Sequence, residues 1–183
     1  GAFGAFSTGI GRSEMAVIFA TGKIWLRVPE TLKIELTGNP AEGISAKDVM
    51  LHIIGKLGAD GALYKSVWFT GPVVDRMTVE SRMVLTNMAV EMGAKNGYME
   101  ADDRVMQMIK GRAKIKSQVI RSDPDADFDD VISLDLSLLQ PQVACPHTVD
   151  HVKDISAVKG KKLDQIFFGS CTNGRLEDFR IVA

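Results

Sequence analysis

The segment formed by residues 169–175 (GSCTNGR) carries the side chains best suited to chemistry in this chain. It follows an apolar run, residues 163–168, and precedes a polar run, which is typical of a strand, a turn and a helix start. A deprotonated thiol at Cys171 could bind a soft metal or an iron–sulfur cluster. The alternative is a buried cysteine that acts as a small apolar side chain. The polar neighbours Ser170, Thr172 and Asn173 favour the first, because free backbone N–H groups at a helix start bind anions and cofactors.

An iron–sulfur cluster normally takes about three or four thiolates. The chain has two cysteines, and the second, Cys145, stands in an unlike sequence context. A complete cluster site is therefore not expected from these residues alone. Because two cysteines in unlike contexts do not make a disulfide framework, the sequence indicates a reducing compartment, and we expect a cytoplasmic protein.

Asn87 and Glu91 form a second candidate site. They lie in a helix predicted from Thr78 to about Met92, where Gly93 would end it. A spacing of four residues places both side chains one turn apart on one face. An amide beside a carboxylate can hold a polar ligand and can donate or accept a proton. The alternative is an exposed polar face with no ligand.

The histidines are weaker candidates. His147 and His151 are four residues apart, which suits a metal on a helix, but Pro146 and the absence of a glutamate after His147 remove the zincin pattern. His52 lies on an apolar helix and is interpreted as a packed or surface side chain. The acidic run 123–130 lacks the glycine and the closing glutamate of an EF-hand loop.

The composition is that of an ordinary soluble globular protein, with 183 residues, 45% of them hydrophobic and 25% charged. A net charge of −1 gives no reason to expect a nucleic-acid or membrane partner. The densest basic cluster, residues 110–116, is interpreted as a solvated helix end or edge strand. No run approaches the about 18 consecutive apolar residues of a membrane-spanning helix.

Helices and strands alternate along the chain, which predicts the α/β class. Ser13 is expected to cap the first helix and Gly22 to end it, and Ser45 with Asp48 forms a capping box for the next. Residues 71–72 are predicted as a turn and residues 141–146 as an irregular linker. The predicted helices are 13–20, 46–57, 78–92 and 102–110, and the predicted strands are 32–36, 67–69, 131–136 and 163–168. Residues 96–99 are predicted as a short strand or a turn.

Both ends of the sequence differ from ordinary termini. The chain begins without methionine in a glycine-rich turn, and it stops within an apolar helical pattern that no glycine or proline ends. We therefore expect the chain to be an internal piece of a longer protein.

The chain resembles the aconitase superfamily of hydro-lyases, and within it the large subunits of 3-isopropylmalate dehydratases and their homoaconitase relatives. The matching segments run in family order from one end of the chain to the other. They are residues 4–11 (GAFSTGIG), 20–25 (ATGKIW), 28–31 (VPET), 46–49 (AKDV), 87–95 (NMAVEMGAK), 139–143 (LQPQV) and 169–178 (GSCTNGRLED).

The resemblance implies aconitase-type α/β/α domains. Residues 1–30 would end the first domain, residues 31–139 would form the second, and residues 140–183 would contain a linker and the start of the third. The cluster is expected at the domain junction, at strand ends of the α/β sheets.

The resemblance also implies a [4Fe–4S] cluster held by three cysteines, of which Cys171 would be the first and a Cys-x-x-Cys pair outside this chain the others. Cys145 matches no ligand of the family. Asn173 would contact the cofactor beside Cys171. Asn87 would orient the cluster edge and Glu91 would hydrogen-bond iron-bound water or hydroxyl. The family's Asp-Ser-His segment and its substrate-binding arginines would also lie outside the chain, so the chain alone should be inactive.

The implied reaction is dehydration and rehydration of a small 2-hydroxy acid, first of all the isomerisation of 3-isopropylmalate in leucine biosynthesis. The implied partner is a small, swivelling-domain subunit in a heterodimer or heterotetramer, without membrane or nucleic acid. The alternatives are a homoaconitase, a dimethylmaleate hydratase, a non-catalytic RNA-binding protein of the same family, and an unrelated α/β nucleotide-binding domain. Near-neutral charge without interleaved aromatic and basic residues argues against RNA.

Overall fold

The structure, a computed structural model, describes residues 1–114 and 117–183. Lys116, the last member of the basic cluster, lies outside the described residues, whereas Lys110, Arg112 and Lys114 are exposed beyond a helix end, as expected. No helix among the described residues has the length and apolarity needed to cross a membrane.

Helices and strands alternate through most of the described chain. In chain order they are α1 Arg12–Thr21, β1 Thr31–Thr37, α2 Ala46–Leu57, β2 Ser66–Thr70, α3 Pro72–Arg76, α4 Val79–Met88, β3 Asn96–Tyr98, α5 Asp103–Ile109, β4 Asp130–Asp135, β5 Gln142–Ala144, β6 Val152–Asp154 and α6 Leu176–Val182. Short 3₁₀ helices cover Ala89–Met92 and Ile155–Val158.

Strands β1 to β4 form one parallel sheet in the order β3-β2-β1-β4. Parallel neighbours need long crossover connections, and the helices between these strands provide them. The predicted α/β class is therefore confirmed. Strands β5 and β6 form a separate antiparallel ribbon that contacts α2.

One face of the sheet forms the core with α2 and α4. Alternate side chains of β1, namely Leu32, Ile34 and Leu36, are at most 1% exposed, as the alternating pattern predicted. They join the apolar stripes of α2 and α4 in one cluster. Burying such a side chain contributes about 1.5–3 kcal/mol. This packing holds α2 and α4 side by side, with the end of α4 next to the candidate site.

The predicted capping box of α2 is present, and its Asp48 side chain also bonds to the backbone of strand β5. Ser45 Oγ accepts a hydrogen bond from Asp48 N at 3.3 Å, and Asp48 Oδ2 accepts one from Ser45 N at 2.8 Å. Asp48 Oδ1 also accepts a hydrogen bond from the backbone of Gln142 at 2.7 Å. The prediction that residues 141–146 are irregular is therefore wrong in part, because this bond and pairing with β6 hold Gln142–Ala144 as a strand.

The helix predicted from Thr78 to Met92 is divided. Thr78 Oγ1 caps it by accepting a hydrogen bond from Ser81 N at 3.1 Å. The α-helix ends at Met88 and continues as the 3₁₀ helix before Gly93, whose φ is +77°. In the tighter 3₁₀ turn, backbone N–H groups donate hydrogen bonds to carbonyl groups that would otherwise lack partners at the helix end. Consequently Asn87 and Glu91 do not share one regular helical face.

Two predicted boundaries are wrong. Helix α1 is capped by Gly11 and not by Ser13, because Glu14 Oε2 accepts a hydrogen bond from Gly11 N at 2.6 Å. Residues 71–72 are not an isolated turn, since Pro72 occupies the first position of α3. Proline is favoured there because its missing N–H needs no partner at a helix start.

The strand predicted over residues 163–168 is absent. Among the described residues no strand pairs with this segment, and Ile166 and Phe167 are 77% and 83% exposed. A strand requires neighbours for its backbone N–H and C=O groups, and apolar composition alone does not supply them. Phe168 instead packs edge-on against Phe179 of α6, with ring centroids 5.3 Å apart.

Candidate functional site

Cys171 lies on a tight turn between the Phe168 contact and α6. Gly169 and Ser170, which precede it, both have positive φ angles, +146° and +76°. A positive φ is uncommon for a residue other than glycine, and it redirects the chain sharply. The Cys171 side chain is exposed. Within the described chain, Cys171 is therefore not a buried apolar side chain.

The thiol contacts one of the other predicted site residues. Asn87 Nδ2 donates a hydrogen bond to Cys171 Sγ at 3.4 Å. Asn87 belongs to the last turn of α4, so the contact joins the helix layer to the Cys171 turn. Sulfur is a weak acceptor in a thiol. A donor placed on it suits a sulfur that carries negative charge or binds a metal.

Asn173 is directed mainly toward its own helix. Its Nδ2 donates to Asp178 Oδ1 at 3.0 Å, while Asp178 Oδ2 accepts from the backbone N–H of Arg175 at 2.9 Å. Asn173 Oδ1 is buried and has no hydrogen-bond partner among the described residues. The amide therefore fixes the turn and leaves one acceptor for a further group.

Two cavities meet at Cys171. The first has a volume of about 790 Å³ and is lined in part by Asn87, Lys95 and Arg175. The second, of about 670 Å³, is lined in part by Glu91. Cys171 lines both, so Asn87 and Glu91 face different cavities.

The cavities are formed mainly by helices and by the segment before α1. Neither is lined by the carboxyl ends of the four parallel strands, where ligands of α/β sheets commonly bind. From the four-stranded sheet only Asn96, the first residue of β3, reaches the first cavity. The ribbon strand β5 lines the second cavity.

The electrostatics of α6 tie it to the start of α4. Burial raises the pKa of the Glu177 carboxyl, and the carboxylates of Glu80 and Asp178 raise it further. Arg175 and the Thr78 hydroxyl act in the opposite direction. The groups that act on the Glu177 carboxyl stand at the starts of α4 and α6, which indicates that the two helices begin close together.

The donor set fits part of a cluster site. No group of three or more His, Cys, Asp or Glu side chains with metal-ligand geometry occurs within residues 1–114 and 117–183. A [4Fe–4S] cluster takes three or four thiolates. Cys171, an exposed thiol with an amide donor on its sulfur and open cavities on both sides, has the chemistry of one such ligand. The remaining ligands are not among the described residues.

The other candidate ligands lie apart from this thiol. His147 and His151 occupy the β5–β6 loop and not a helix, and His151 Nδ1 lies 3.2 Å from the carbonyl oxygen of Pro146. His52 is half-buried on α2, where burial and the nearby Lys56 charge lower its pKa against the opposing charge of Asp154. Cys145 is partly buried and lines neither cavity.

Several residues of the first cavity carry no signal in the sequence that marks them as site residues. Arg175 lies in the same motif as Cys171, but its type alone did not distinguish a ligand contact from a solvated helix start. Lys95 and Asn96 follow Gly93, where the pattern predicted only a turn and a short strand. Thr8 stands in the glycine-containing segment 4–11, and its hydroxyl donates to the Lys95 carbonyl at 2.6 Å.

Comparison with known proteins identifies the family. The model of the aconitase family (aconitate hydratase) matches residues 1–163. The probable 3-isopropylmalate dehydratase large subunit of Methanothermobacter thermautotrophicus is 52% identical over 183 residues, which is 100% of this chain and 44% of that protein. The probable methanogen homoaconitase large subunit of the same organism is 51% identical over 183 residues, 100% of this chain and 43% of that protein.

A third relative, the 3-isopropylmalate dehydratase large subunit 1 of Pyrococcus furiosus, is 47% identical over 185 residues, 100% of this chain and 44% of that protein. The chain thus spans less than half the length of these relatives. Cys171 lies beyond the segment that the family model matches but within the stretch that the relatives cover. On the match over residues 1–163, the chain belongs to the aconitase family.

Proposed function

We propose that this chain is part of the large subunit of a hydro-lyase that removes and adds water on a 2-hydroxy acid, with 3-isopropylmalate as its substrate. The observation that carries the proposal is the 3.4 Å contact between Asn87 and Cys171. It joins an amide on a helix end to an exposed thiol at the meeting point of two cavities. The names of the relatives support the same activity.

In this proposal Cys171 is one of three cysteine ligands of a [4Fe–4S] cluster, and the other two lie outside this chain. When bound, the cluster supplies an open iron that acts as a Lewis acid on the substrate. Asn87 donates its hydrogen bond to the ligating sulfur and orients the turn. Asn173 holds the turn through Asp178, and we retain its contact with the cofactor beside Cys171 as part of the proposal.

Glu91 is the proposed proton-handling group of this chain. It lines the second cavity together with Ser170, Cys171 and Lys47. A carboxyl oxygen in that position can donate a proton to a departing hydroxyl and accept it in the reverse direction. Lys47 would balance its charge and limit the cost of holding a carboxylate there.

The domain division expected from the sequence remains part of the proposal. Residues 31–139 would form the second domain, and their parallel sheet with α2 and α4 on one face supports a single folding unit. Residues 1–30 and 140–183 would belong to the domains before and after it. Because relatives are named large subunits, we include a small-subunit partner.

Homoaconitase is the second candidate, because a relative of that name matches almost as well as the first, at 51% against 52% identity. The two activities differ in the substrate side chain. Steady-state assays of the full-length protein with its small subunit would compare kcat/KM for 3-isopropylmalate and for homocitrate. The substrate with the higher kcat/KM identifies the enzyme, and the absence of turnover with both contradicts the proposal.

The cluster assignment has its own test. Full-length protein prepared without oxygen should show the visible absorption of an iron–sulfur cluster, and Cys171→Ser should abolish the intact cluster. Cys145→Ser is the matched control and should retain it, since Cys145 lines neither cavity. An intact cluster in Cys171→Ser would overturn the assignment.

A further inference from the structure

The first cavity has an unusual charge composition. Arg175 and Lys95 line it, together with the neutral side chains of Asn87, Asn96, Thr8 and Cys171. Among the residues that the structure describes, no Asp or Glu lines this cavity. The second cavity differs, because Asp48 and Glu91 line it beside Lys47. A carboxylate group would therefore be favoured in the first cavity over the second.

Arg175 is the cation best placed to bind such an anion. Its side chain is half-buried, and it forms no ion pair with a carboxylate within residues 1–114 and 117–183. Lys95 is a weaker candidate, since its ammonium already lies 5.7 Å from the centre of the Tyr64 ring. A guanidinium has five N–H donors in a fixed plane, which suits two-point binding of a carboxylate.

One contact of Arg175 sets its position relative to the thiol. Its Nη1 donates to the carbonyl oxygen of Thr172 at 3.2 Å. Thr172 directly follows Cys171, so the guanidinium is held beside the turn that presents the sulfur. The N–H groups that this bond does not use remain for a ligand. An anion bound to them would lie in the same cavity as the thiol.

Asn96 is a further polar residue of the first cavity. The residue is 5% exposed, and its Oδ1 atom is buried without a hydrogen-bond partner among the described residues. Leaving a buried acceptor unsatisfied is costly, and a water molecule or a polar group of a ligand could supply the donor. The first cavity thus combines cationic and neutral polar groups, which suits a polar anion.

We propose that Arg175 binds a carboxylate of the substrate in the first cavity and orients it beside Cys171. The identity of the ligand rests on the proposed function, whose substrate is a dicarboxylic acid. Arg175 is thereby a substrate-positioning residue. Because Cys171 lines both cavities, a substrate held in the first cavity by one carboxylate can extend past the thiol toward Glu91 in the second.

The test uses the full-length enzyme with its small subunit and three variants. Removing a charged hydrogen-bond donor costs about 10-fold to 100-fold in binding. Arg175→Gln should therefore raise KM for 3-isopropylmalate by about that factor, leave the cluster absorption unchanged and change kcat less than KM. Arg175→Lys should recover part of the loss, since it keeps the charge but not the planar donor pair. Arg180→Gln, on the exposed side of the same helix, should leave KM unchanged.

A binding measurement separates this proposal from the proposed function. The full-length enzyme's affinity for succinate, an unreactive dicarboxylate, should be lower in Arg175→Gln than in the wild type. In Arg180→Gln it should be unchanged. If the wild type binds succinate through Arg175 but does not turn over, the proposed function fails and the binding site stands. If the wild type turns over and Arg175→Gln changes neither KM nor succinate affinity, the role of Arg175 is overturned. Loss of the cluster in both Arg175 variants would also overturn it, because Arg175 would then serve only to hold the turn at Thr172.

Discussion

Asn87 Nδ2 lies 3.4 Å from Cys171 Sγ, and this contact joins the end of α4 to a turn 84 positions later in the chain. Asn87 is placed by the packing of α4 on the sheet, whereas Cys171 is placed by the positive φ angles of the preceding turn. Two unrelated local structures thus converge on one sulfur atom. A donor on a ligating sulfur is the kind of outer contact that tunes a metal site.

Under the proposed cluster assignment, replacing Asn87 by alanine should weaken cluster retention. Loss of such an outer partner typically costs about 10-fold to 100-fold in metal affinity. The rate at which the full-length protein loses its visible absorption in the presence of a chelator should therefore rise by about 10-fold or more. Asn39→Ala, which removes an exposed amide in the loop after β1, is the matched control. Equal rates in both variants would contradict a role of the Asn87 hydrogen bond.

Replacing Glu91 by glutamine should impair the chemical step. The change removes the proton but keeps the shape, so kcat should fall by about 100-fold to 10,000-fold while the cluster stays intact. Steady-state kinetics with 3-isopropylmalate and the visible absorption of the same samples measure both quantities. Glu42→Gln, at an exposed loop position, should behave as the wild type. An unchanged kcat in Glu91→Gln would remove Glu91 from the mechanism.

Replacing Asp102 by asparagine should destabilise the domain without affecting the Cys171 turn. Asp102 Oδ2 accepts a hydrogen bond from Arg82 Nη2 at 2.5 Å, and Arg82 is 2% exposed. Asparagine keeps the helix cap at Val105 but leaves the guanidinium without its counter-charge. The free energy of unfolding at neutral pH should fall by about 2 kcal/mol, below the usual loss for a fully buried pair because Asp102 is partly exposed.

The effect of Asp102 should depend on pH. Burial acts to raise the pKa of its carboxyl, but the hydrogen bonds from Arg82 and Val105 and the charges of Arg82 and Arg104 outweigh it, so the pKa lies below its usual value. A carboxyl with a lowered pKa in the folded state contributes stability above its unfolded pKa of about 3.9. That contribution is lost as the pH falls through the folded pKa. The free energy of unfolding, measured with urea, should therefore differ between wild type and Asp102→Asn at pH 7. The difference should be smaller at pH 3. Asp103→Asn, the exposed neighbour, should show little difference at either pH.

Replacing Gly55 by alanine should destabilise the protein although alanine is the better helix former. A Cβ atom at this position would lie 2.8 Å from Val152 Cβ of the β6 strand. The helix-propensity gain of up to about 1 kcal/mol is smaller than the usual overpacking cost of about 1–3 kcal/mol. Gly55→Ala should thus lower the free energy of unfolding. The loss should be smaller in a Val152→Gly background, where the clashing Cβ atom is absent. Additive effects of the two substitutions would contradict direct contact.

Much of the fold could be predicted because its signals are local. The alternation of Leu32, Ile34 and Leu36 identifies a half-buried strand within a few residues. Ser45 with Asp48 identifies a helix start through bonds that span three positions. Failures occurred where a local pattern lacked its partner, as in residues 163–168, which have strand composition but no neighbouring strand in the described chain.

The candidate site could be predicted only in part. The residue types and spacing of Cys171, Asn87 and Glu91 pointed to chemistry at each position, and the motifs pointed to the aconitase family that the comparison confirms. Residue types and spacing did not predict how these three side chains are placed relative to one another. The change from α-helix to 3₁₀ helix before Gly93 turns Asn87 and Glu91 toward different cavities, and a simple spacing rule assumes an unbroken helix.

The sequence by itself determined the α/β class, the capping box of α2, the family and the individual side chains that could do chemistry, because each depends on motifs of residues close together in the chain. Only the tertiary structure decided that Asn87 contacts Cys171 and that Gly55 packs against Val152. It also decided that Arg175 lines a cavity in which no Asp or Glu occurs among the described residues. These relationships join residues far apart in sequence. They arise from how the helices pack on the sheet and where the turns direct the chain, so no short stretch of sequence contains them.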